Sequence, residues 1–280
     1  MAKIFFDLDG TLINSEHRIY NLFVELCPEC KMSYEAYWKI KRQRITQKDF
    51  LKKYFDYTDD MCAQFHQKWL QKIEEPERLR EDFLVEGIEC VLKDFSKKEI
   101  LGTSPRMTGF RSESDEIATA TKSPRNDSKM SERAMSKEML KQVQHDARGQ
   151  VCNDGLYSGL AMTNEKNLLY VVTNRQSESL TLKELETLGI KKYFDKILVT
   201  EQQKTKTDLM QNEECVADDI LITDTGEDIR VAHKLGIQSI AVCWGVLNED
   251  ILTEYAPTMI CKTVHELYKT LEQLNKTKGQ

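Results

Sequence analysis

Residues 5–12, with the sequence FFDLDGTL, constrain the fold of this chain more than any other stretch. Residues 3–6 are typical of a short buried strand, and the strand ends at the carboxylate of Asp7. A second carboxylate, Asp9, follows two positions later, and a glycine and a hydroxyl come next. Such an acidic loop suits a site at the carboxyl edge of a parallel sheet. One carboxylate can attack phosphorus while the other transfers protons, provided that a metal offsets the negative charge. From this stretch alone, a simple acidic turn is the alternative.

The composition argues against several classes of function. The chain has 280 residues, of which 40% are hydrophobic and 31% are charged, and its net charge is −6. A protein that binds nucleic acid or an anionic membrane would carry a basic patch. No apolar run approaches the roughly 20 residues that span a bilayer, and no signal peptide precedes the first strand. We therefore expect a cytoplasmic protein with no nucleic-acid or membrane partner.

Residues 15–82 have helical periodicity where a strand–helix–strand unit would normally continue. Residues 15–26 carry apolar side chains on one helical face, and residues 33–75 repeat aromatic and aliphatic residues at spacings of three and four. Aromatic residues at this spacing are usually core residues. We predict that residues 15–82 form a helical cap on an α/β base.

An unusual segment separates this region from the next strand. Residues 83–95 predict a helix, and a strand should follow within a few residues, but the next apolar run starts only at residue 168. The segment 102–165 is rich in polar residues and poor in aromatic and branched apolar ones, so it is expected to have little stable order. It resembles translated repeat elements that are inserted in some bacterial reading frames. A regulatory or partner-binding loop is the alternative.

From residue 168 onward, predicted strands and helices alternate. The strands are 168–172, 196–200, 220–223 and 239–243, and the helices are 177–188, 207–212, 228–235 and 264–274. Repeated strand–helix pairs predict an α/β fold with a doubly wound parallel sheet. We assign residues 1–14, 83–101 and 166–280 to this core.

Polar residues follow the predicted strands and should meet at one sheet edge. The first strand ends at the two aspartates described above, the second at Thr173, and the fourth at Asp224 with Asp228 nearby. A lysine-rich loop, residues 204–208, follows the third strand. Several carboxylates in one place repel each other unless a divalent cation lies among them, and ligands that are all oxygen indicate Mg²⁺. The hydroxyl and ammonium groups can then bind a phosphoryl group.

These motifs, in this order, resemble those of the haloacid dehalogenase-like hydrolase superfamily, in its phosphatase branch with a helical cap. The family's DxDGT motif matches residues 7–11, and its strand ending in Thr and Asn matches residues 173–174. Its GDxxxD motif matches residues 224–228, with Thr223 where glycine is usual. The downstream pairs 236–237 and 244–245 resemble the phosphoglycolate phosphatase-like group.

The motif lysine has two candidates, because the prolines usual around it are absent. Lys204 matches best, since it lies four positions before Asp208, and Lys206 is the alternative.

The resemblance implies a role for each motif residue. Asp7 would be the nucleophile that forms an aspartyl-phosphate, and Asp9 the general acid and base. The family's dehalogenases lack the second acid, so Asp9 favours phosphate esters as substrates. Thr173 and Lys204 would complete the catalytic set by binding phosphoryl oxygens and neutralising charge.

The resemblance also implies binding residues and a cofactor. Thr11 and the Asn174 N–H would bind substrate. The cofactor would be Mg²⁺, bound by Asp7, the Asp9 carbonyl, Asp224 and Asp228, the last either as a ligand or by orienting the others.

The sequence therefore predicts a Mg²⁺-dependent phosphatase of small phosphate monoesters that resemble 2-phosphoglycolate. Its expected partner is a small phosphorylated metabolite. A sugar-phosphate mutase of the same architecture is one alternative. A catalytically impaired binding protein is another, because the segment 102–165 lies just before the strand that carries Thr173. The substrate and the oligomeric state stay open.

Overall fold

A six-stranded parallel sheet forms the centre of the protein. The structure, a computed structural model, describes residues 2–96 and 167–278. The strand order is β5–β4–β1–β6–β7–β8, with β1 (Lys3–Phe6), β4 (Leu168–Thr173), β5 (Lys196–Val199), β6 (Ile220–Thr223), β7 (Gln238–Val242) and β8 (Met259–Cys261). The predicted α/β class is confirmed. The segment 102–165, for which little order was expected, lies outside the described residues.

The central strand, β1, is buried on both faces. Successive side chains of a strand point to opposite faces, and the rings of Phe5 and Phe6 are both fully buried. Phe5 packs edge-on against Tyr170 with 5.1 Å between ring centroids, and Phe6 packs against Phe194 at 6.2 Å. Continuous apolar strands of this kind are typical of a parallel sheet with both faces covered.

The register of the sheet determines which residues meet at its carboxyl edge. In β1, Phe6 pairs with Val171 of β4 on one side and with Ile222 of β6 on the other. The chain adds strands first on one side of β1 and then on the other. Such a reversal of strand order opens a crevice at the carboxyl ends of the strands, and Asp7 lies there.

Residues 16–79 contain five helices: α1 (Glu16–Leu26), α2 (Tyr34–Lys41), α3 (Gln47–Phe55), α4 (Asp59–Lys72) and α5 (Pro76–Leu79). The helical region between residues 15 and 82 is called the helical cap below. The first four helices have a core of their own around the buried ring of Phe23, which contacts Tyr37, Phe50 and Phe65 at centroid distances of 4.9, 5.3 and 5.6 Å. Tyr37, Phe50 and Phe65 are thus core residues, as their spacing indicated, whereas Tyr54 is 37% exposed.

Two short strands connect the helical cap to the sheet. β2 (Ile13–Asn14) and β3 (Phe83–Leu84) pair antiparallel, and α6 (Ile88–Phe95) begins only after Gly87, whose φ is +79°. The prediction that a helix starts at Phe83 was therefore wrong, because the first two residues pair with β2 instead. The chain leaves the sheet through β2 and returns through β3.

The remaining helices lie beside the sheet: α7 (Glu178–Thr187), α8 (Lys206–Gln211), α9 (Gly226–Leu235), α10 (Glu249–Glu254) and α11 (Val264–Lys278), with a short 3₁₀ helix at Lys191–Tyr193. α9 ends at Gly236, which has a φ of +69°, as expected for a helix C-terminus. β8 and α10 were not predicted. Within the described residues, no helix combines the length and apolar character needed to cross a membrane.

Candidate active site

The carboxylate of Asp7, directly after β1, is buried and held by two donors. Its Oδ1 accepts hydrogen bonds from the N–H of Leu8 at 2.8 Å and from Nζ of Lys206 at 2.7 Å. Burial raises the pKa of Asp7 well above its usual value, the Lys206 charge opposes this rise, and the charges of Asp228 and Asp224 add to it. The ammonium group is thus the main group that favours the ionised, nucleophilic form of Asp7.

The start of α8 determines which lysine reaches Asp7. Thr205 is the N-cap: its Oγ1 accepts from the N–H of Asp208 at 3.1 Å, and Oδ2 of Asp208 accepts from the N–H of Thr205 at 3.0 Å. This reciprocal capping box fixes the first helical residue, which is Lys206. Lys206 is only 5% exposed.

The motif spacing favours Lys204 over Lys206, but it is Lys206 whose Nζ contacts Asp7. Lys204 lies in the turn before the helix, where its N–H donates to Thr200 O at 3.1 Å, and its side chain is exposed. Because α8 starts after the Thr205 cap, Lys206 faces the sheet edge and Lys204 faces solvent.

Asp228, in the first turn of α9, shares the same lysine. Its Oδ2 accepts from Nζ of Lys206 at 2.5 Å and from Oγ1 of Thr223 at 3.0 Å. Thr223 occupies the position where the family motif usually has glycine, and its hydroxyl here holds Asp228. These contacts favour an orienting role for Asp228 over direct metal ligation.

Asp224 follows β6, and its carboxylate is fully buried. Oδ2 accepts from the N–H of Val246 at 2.7 Å, and Oδ1 accepts from Oγ1 of Thr11 at 3.3 Å. Burial raises the pKa of Asp224 to about 6, although the Val246 hydrogen bond opposes the rise. A Cβ at Gly10 would lie 2.2 Å from Oδ2, and one at Gly245 would lie 2.3 Å from it. Both glycines therefore make room for this carboxylate.

Thr11, for which the resemblance implies substrate binding, contacts a carboxylate of the site. Its side chain is fully buried and its hydroxyl donates to Asp224, so this hydroxyl supports a carboxylate of the site. Thr173 ends β4 and is 2% exposed, and Asn174, the next residue, is exposed at the same sheet edge. Thr173 and Asn174 therefore lie at the carboxyl end of β4, beside β1. The sequence predicted this placement.

Two arginines hold the carboxylate of Asp9. Arg175 donates from Nε to Oδ2 at 2.6 Å and from Nη2 to Oδ1 at 2.9 Å, and Nη2 of Arg18 also donates to Oδ1. Burial alone would raise the pKa of Asp9, but the two guanidinium groups outweigh it and hold this pKa well below the usual value.

The same arginines contact a second carboxylate, Asp82. Arg18 donates from Nε to Oδ1 at 2.9 Å, and Arg175 donates from Nη2 to Oδ2 at 3.4 Å. Burial raises the pKa of Asp82 to about 8, although Arg18 opposes the rise. Nη1 of Arg175 also lies 2.9 Å from a carboxylate oxygen of Glu184.

Sequence reasoning missed these arginines together with Asp82 and Glu184. For Arg175 a signal existed, because it directly follows Thr173 and Asn174. Arg18 and Asp82 are 64 positions apart, so neither had a local signal.

The charge balance of the site fits a divalent cation. Three carboxylates, those of Asp7, Asp224 and Asp228, are buried, and one buried ammonium group, that of Lys206, pairs with the first and the last of them. In the described part of the chain, no three His, Cys, Asp or Glu side chains are grouped around one metal position. Mg²⁺ is usually bound through one or two carboxylates together with waters and other oxygens. The residues present therefore fit Mg²⁺ with Asp7 and Asp224 as side-chain ligands.

Known structures of similar architecture come from several bacteria. A haloacid dehalogenase-like hydrolase from Streptococcus pneumoniae is 19% identical, with a TM-score of 0.60 and 97% of this chain and 98% of that chain covered. A predicted phosphoglycolate phosphatase from Haemophilus somnus is 16% identical, with a TM-score of 0.55 and coverage of 97% and 98%. A protein described as a HAD-hydrolase from Bacillus subtilis, bound to magnesium, is 16% identical, with a TM-score of 0.52 and coverage of 96% and 98%. At these identities the likeness shows the fold.

The family profile extends over most of the sequence. No curated protein matches the chain. The profile of the haloacid dehalogenase-like hydrolases matches residues 4–102 and 109–242, which include all four motifs at the sheet edge. This protein therefore belongs to the haloacid dehalogenase-like hydrolase family.

Proposed function

We propose that this protein is a Mg²⁺-dependent phosphatase that hydrolyses small phosphate monoesters through an aspartyl-phosphate on Asp7. The observation that carries the proposal is the buried Asp7–Lys206 pair at the junction of three parallel strands. A carboxylate activated in this way, next to a hydroxyl and further carboxylates, suits covalent phosphoryl transfer.

In the first step, a carboxylate oxygen of Asp7 attacks phosphorus, and the bond from phosphorus to the leaving oxygen breaks. Lys206 offsets part of the charge that Asp7 and the phosphoryl group bring together. Asp9, two residues later, gives a proton to the leaving oxygen, so that an alcohol departs instead of an alkoxide. Because the two arginines hold the pKa of Asp9 well below its usual value, this step draws on the protonated minority of Asp9.

In the second step, water attacks the phosphorus of the aspartyl-phosphate. Asp9, now ionised, takes a proton from that water, and the bond between Asp7 and phosphorus breaks to release inorganic phosphate. The two arginines around Asp9 favour this ionised form.

Thr173 and the backbone N–H of Asn174 are the proposed donors to the phosphoryl oxygens. Thr173 ends β4, directly beside β1, so its position at the sheet edge supports this role. Donors that are already in place where charge develops lower the barrier without further reorganisation.

Asp7, Asp224 and the Asp9 carbonyl are the proposed Mg²⁺ ligands, and Asp228 orients Lys206. A bound Mg²⁺ would offset the charge of these carboxylates and polarise the phosphoryl group. The structurally similar Bacillus subtilis protein is described as bound to magnesium, which supports this choice of metal.

The proposed substrate class is a small monoester similar to 2-phosphoglycolate. Its support is the resemblance of residues 236–237 and 244–245 to that group, together with the description of the Haemophilus somnus protein as a predicted phosphoglycolate phosphatase. The helical cap faces the leaving group in enzymes of this kind, so its side chains would select the substrate.

The test is turnover of p-nitrophenyl phosphate and of a panel of phosphometabolites, with Mg²⁺ and with EDTA. We expect activity that requires Mg²⁺ and disappears in Asp7→Asn. Brief incubation with substrate followed by acid quench should leave a phosphoryl group on the peptide that contains Asp7.

Asp60→Asn is a matched control, because Asp60 is an exposed carboxylate on α4. This variant should keep wild-type turnover. Activity that survives Asp7→Asn, or that is unaffected by EDTA, would contradict the proposal.

A further inference from the structure

Three hydrogen bonds fix the orientation of the Asp9 carboxylate. Arg175 contacts both of its oxygens, at 2.6 and 2.9 Å, and Arg18 contacts Oδ1 from another side. A planar guanidinium that binds both oxygens of a carboxylate restricts rotation about its last bond. Asp9 is therefore held in one orientation and does not move among rotamers as an exposed acid would.

The two arginines are themselves fixed. Each side chain is 3% exposed. Both donate to Asp82, Arg18 also donates to Ile73 O at 2.9 Å, and Arg175 pairs with Glu184. Of the three carboxylates in this cluster, Asp82 is 0% and Glu184 4% exposed, whereas Asp9 is 31% exposed. Asp9 is thus the acceptor that faces open space, and the others form its support.

The cluster joins the helical cap to the sheet. Arg18 lies on α1 and Asp82 directly precedes β3, whereas Arg175 follows β4. The next residue, Gln176, is also bound to the helical cap, through its N–H to Glu74 at 2.8 Å and its Nε2 to Leu70 O at 2.8 Å.

We propose that Arg175 and Arg18 are positioning residues for Asp9, which orient its carboxylate for proton transfer, Arg175 from the sheet and Arg18 from the helical cap. The inference rests on the proposed phosphatase function. A purely structural ion-pair network is the alternative, since buried ion pairs often hold domains together without a catalytic effect.

The leaving group separates these two explanations. An alkoxide needs a proton from Asp9 as it departs, whereas p-nitrophenolate is stable without one. If the arginines position Asp9, Arg175→Gln should slow the transfer of phosphate from glycerol 2-phosphate to Asp7 by about 100-fold, the size of effect that misplacing a catalytic group by about 1 Å produces. The transfer from p-nitrophenyl phosphate should slow by less than about threefold.

Rapid-quench kinetics measure both transfers. With p-nitrophenyl phosphate, Arg175→Gln should keep its burst of p-nitrophenolate but lose steady-state turnover, because Asp9 still has to take a proton from water in the second step. Arg18→Gln should show the same pattern, and Arg175→Lys, which keeps the charge but not the two-point contact, should recover part of the lost rate.

Arg80→Gln is the matched control, because Arg80 is exposed on the helical cap close to Asp82. It should match the wild type with both substrates. Thermal unfolding of each variant identifies those that fail to fold, and Arg18→Gln or Arg175→Lys then replaces Arg175→Gln.

Equal slowing with both leaving groups, or no slowing in a folded variant, would overturn the inference. Neither result would affect the proposed function, which wild-type turnover and its loss in Asp7→Asn establish separately. Absence of wild-type turnover would overturn both.

Discussion

The Nζ atom of Lys206 lies 2.7 Å from Oδ1 of Asp7, and both side chains are buried. The same ammonium group is 2.5 Å from Oδ2 of Asp228. The pKa of Lys206 is raised: burial opposes the charged form, but the two carboxylates outweigh it. One cation, Lys206, therefore holds together two carboxylates that would otherwise repel each other.

Lys206→Met should lower kcat by about 100-fold or more, because it removes the charge that favours ionised Asp7 and the phosphoryl group. It leaves two buried carboxylates without their cation, so the free energy of unfolding should fall by about 3 kcal/mol. Steady-state turnover and urea denaturation measure the two effects.

Lys204→Met is the control for this prediction. Lys204 is exposed two positions earlier, so the substitution should change the free energy of unfolding by less than about 0.5 kcal/mol and leave kcat unchanged. If Lys204→Met instead removed activity, the assignment of the site lysine from the structure would be wrong.

The choice between these lysines shows where sequence reasoning was limited. Each of the four motifs is a short local pattern, and each strand ends where its apolar run ends. The sequence could therefore predict which motif follows which strand. Lys204 and Lys206 are about half a helical turn apart. The reciprocal cap between Thr205 and Asp208 determines which of the two reaches the site. That cap has the T-x-x-D pattern of a helix start, so the sequence itself carries a signal for where the helix begins.

Contacts between distant segments could not be predicted in the same way. The pair of Arg18 and Asp82 forms because β2 and β3 bring the two ends of the helical cap together. No periodicity or residue spacing within the length of one helix predicts a contact between two such distant residues. The contact of the Thr11 hydroxyl could not be predicted for a related reason, since its acceptor, Asp224, is 213 positions away.

Gly10→Ala should weaken Mg²⁺ binding by about 10-fold or more, the usual effect of displacing a group that supports a ligand. The new Cβ would lie 2.2 Å from Oδ2 of Asp224, so this carboxylate has to move. Isothermal titration with Mg²⁺ measures the effect.

Gly189→Ala is a matched control for the backbone strain. Gly189 has a φ of +75°, close to the +80° of Gly10, but a Cβ there would meet no atom within 4 Å. Both variants should lose about 1 kcal/mol of stability from the left-handed conformation, and only Gly10→Ala should lose Mg²⁺ affinity. Equal affinities would contradict the role of Gly10.

Mg²⁺ affinity should fall as the pH decreases through about 6. Burial raises the pKa of Asp224 to about 6, and a carboxylate has to be ionised before it binds a metal. Protons therefore compete with Mg²⁺ below this pH, by about tenfold for each unit, and the raised pKa of Asp7 acts in the same direction. Titrations on both sides of this pH measure the dependence. An affinity that does not change would exclude Asp224 as a ligand.

Lys41→Met should stabilise the protein at neutral pH. Burial lowers the pKa of Lys41 to about 8 from the usual lysine value of 10.5. Below pH 8 the folded protein carries the full cost of a charged, largely buried ammonium group, and this cost disappears as the pH rises toward the unfolded-state value. The gain should be on the order of 1 kcal/mol at neutral pH and should shrink above pH 8.

Lys39→Met provides the comparison, because Lys39 is exposed on the same helix, α2. Urea denaturation over a range of pH should show a pH-dependent gain for Lys41→Met and a change of less than about 0.5 kcal/mol for Lys39→Met. A constant gain at all pH values would mean that packing, and not charge, explains the effect.

Replacement of residues 97–166 by a short Gly-Ser linker should preserve the fold. Ser96 and Asn167 form a parallel bridge, and the N–H of Asn167 donates to Phe95 O at 3.3 Å, so the two ends to be joined are already adjacent. A shorter connection between residues 96 and 167 costs less closure entropy, so stability should be equal or higher, by up to about 2 kcal/mol. Thermal unfolding and p-nitrophenyl phosphate turnover check this. An increase in turnover would support the hypothesis that this segment impairs the enzyme, whereas loss of the folded state would show that the sheet depends on it.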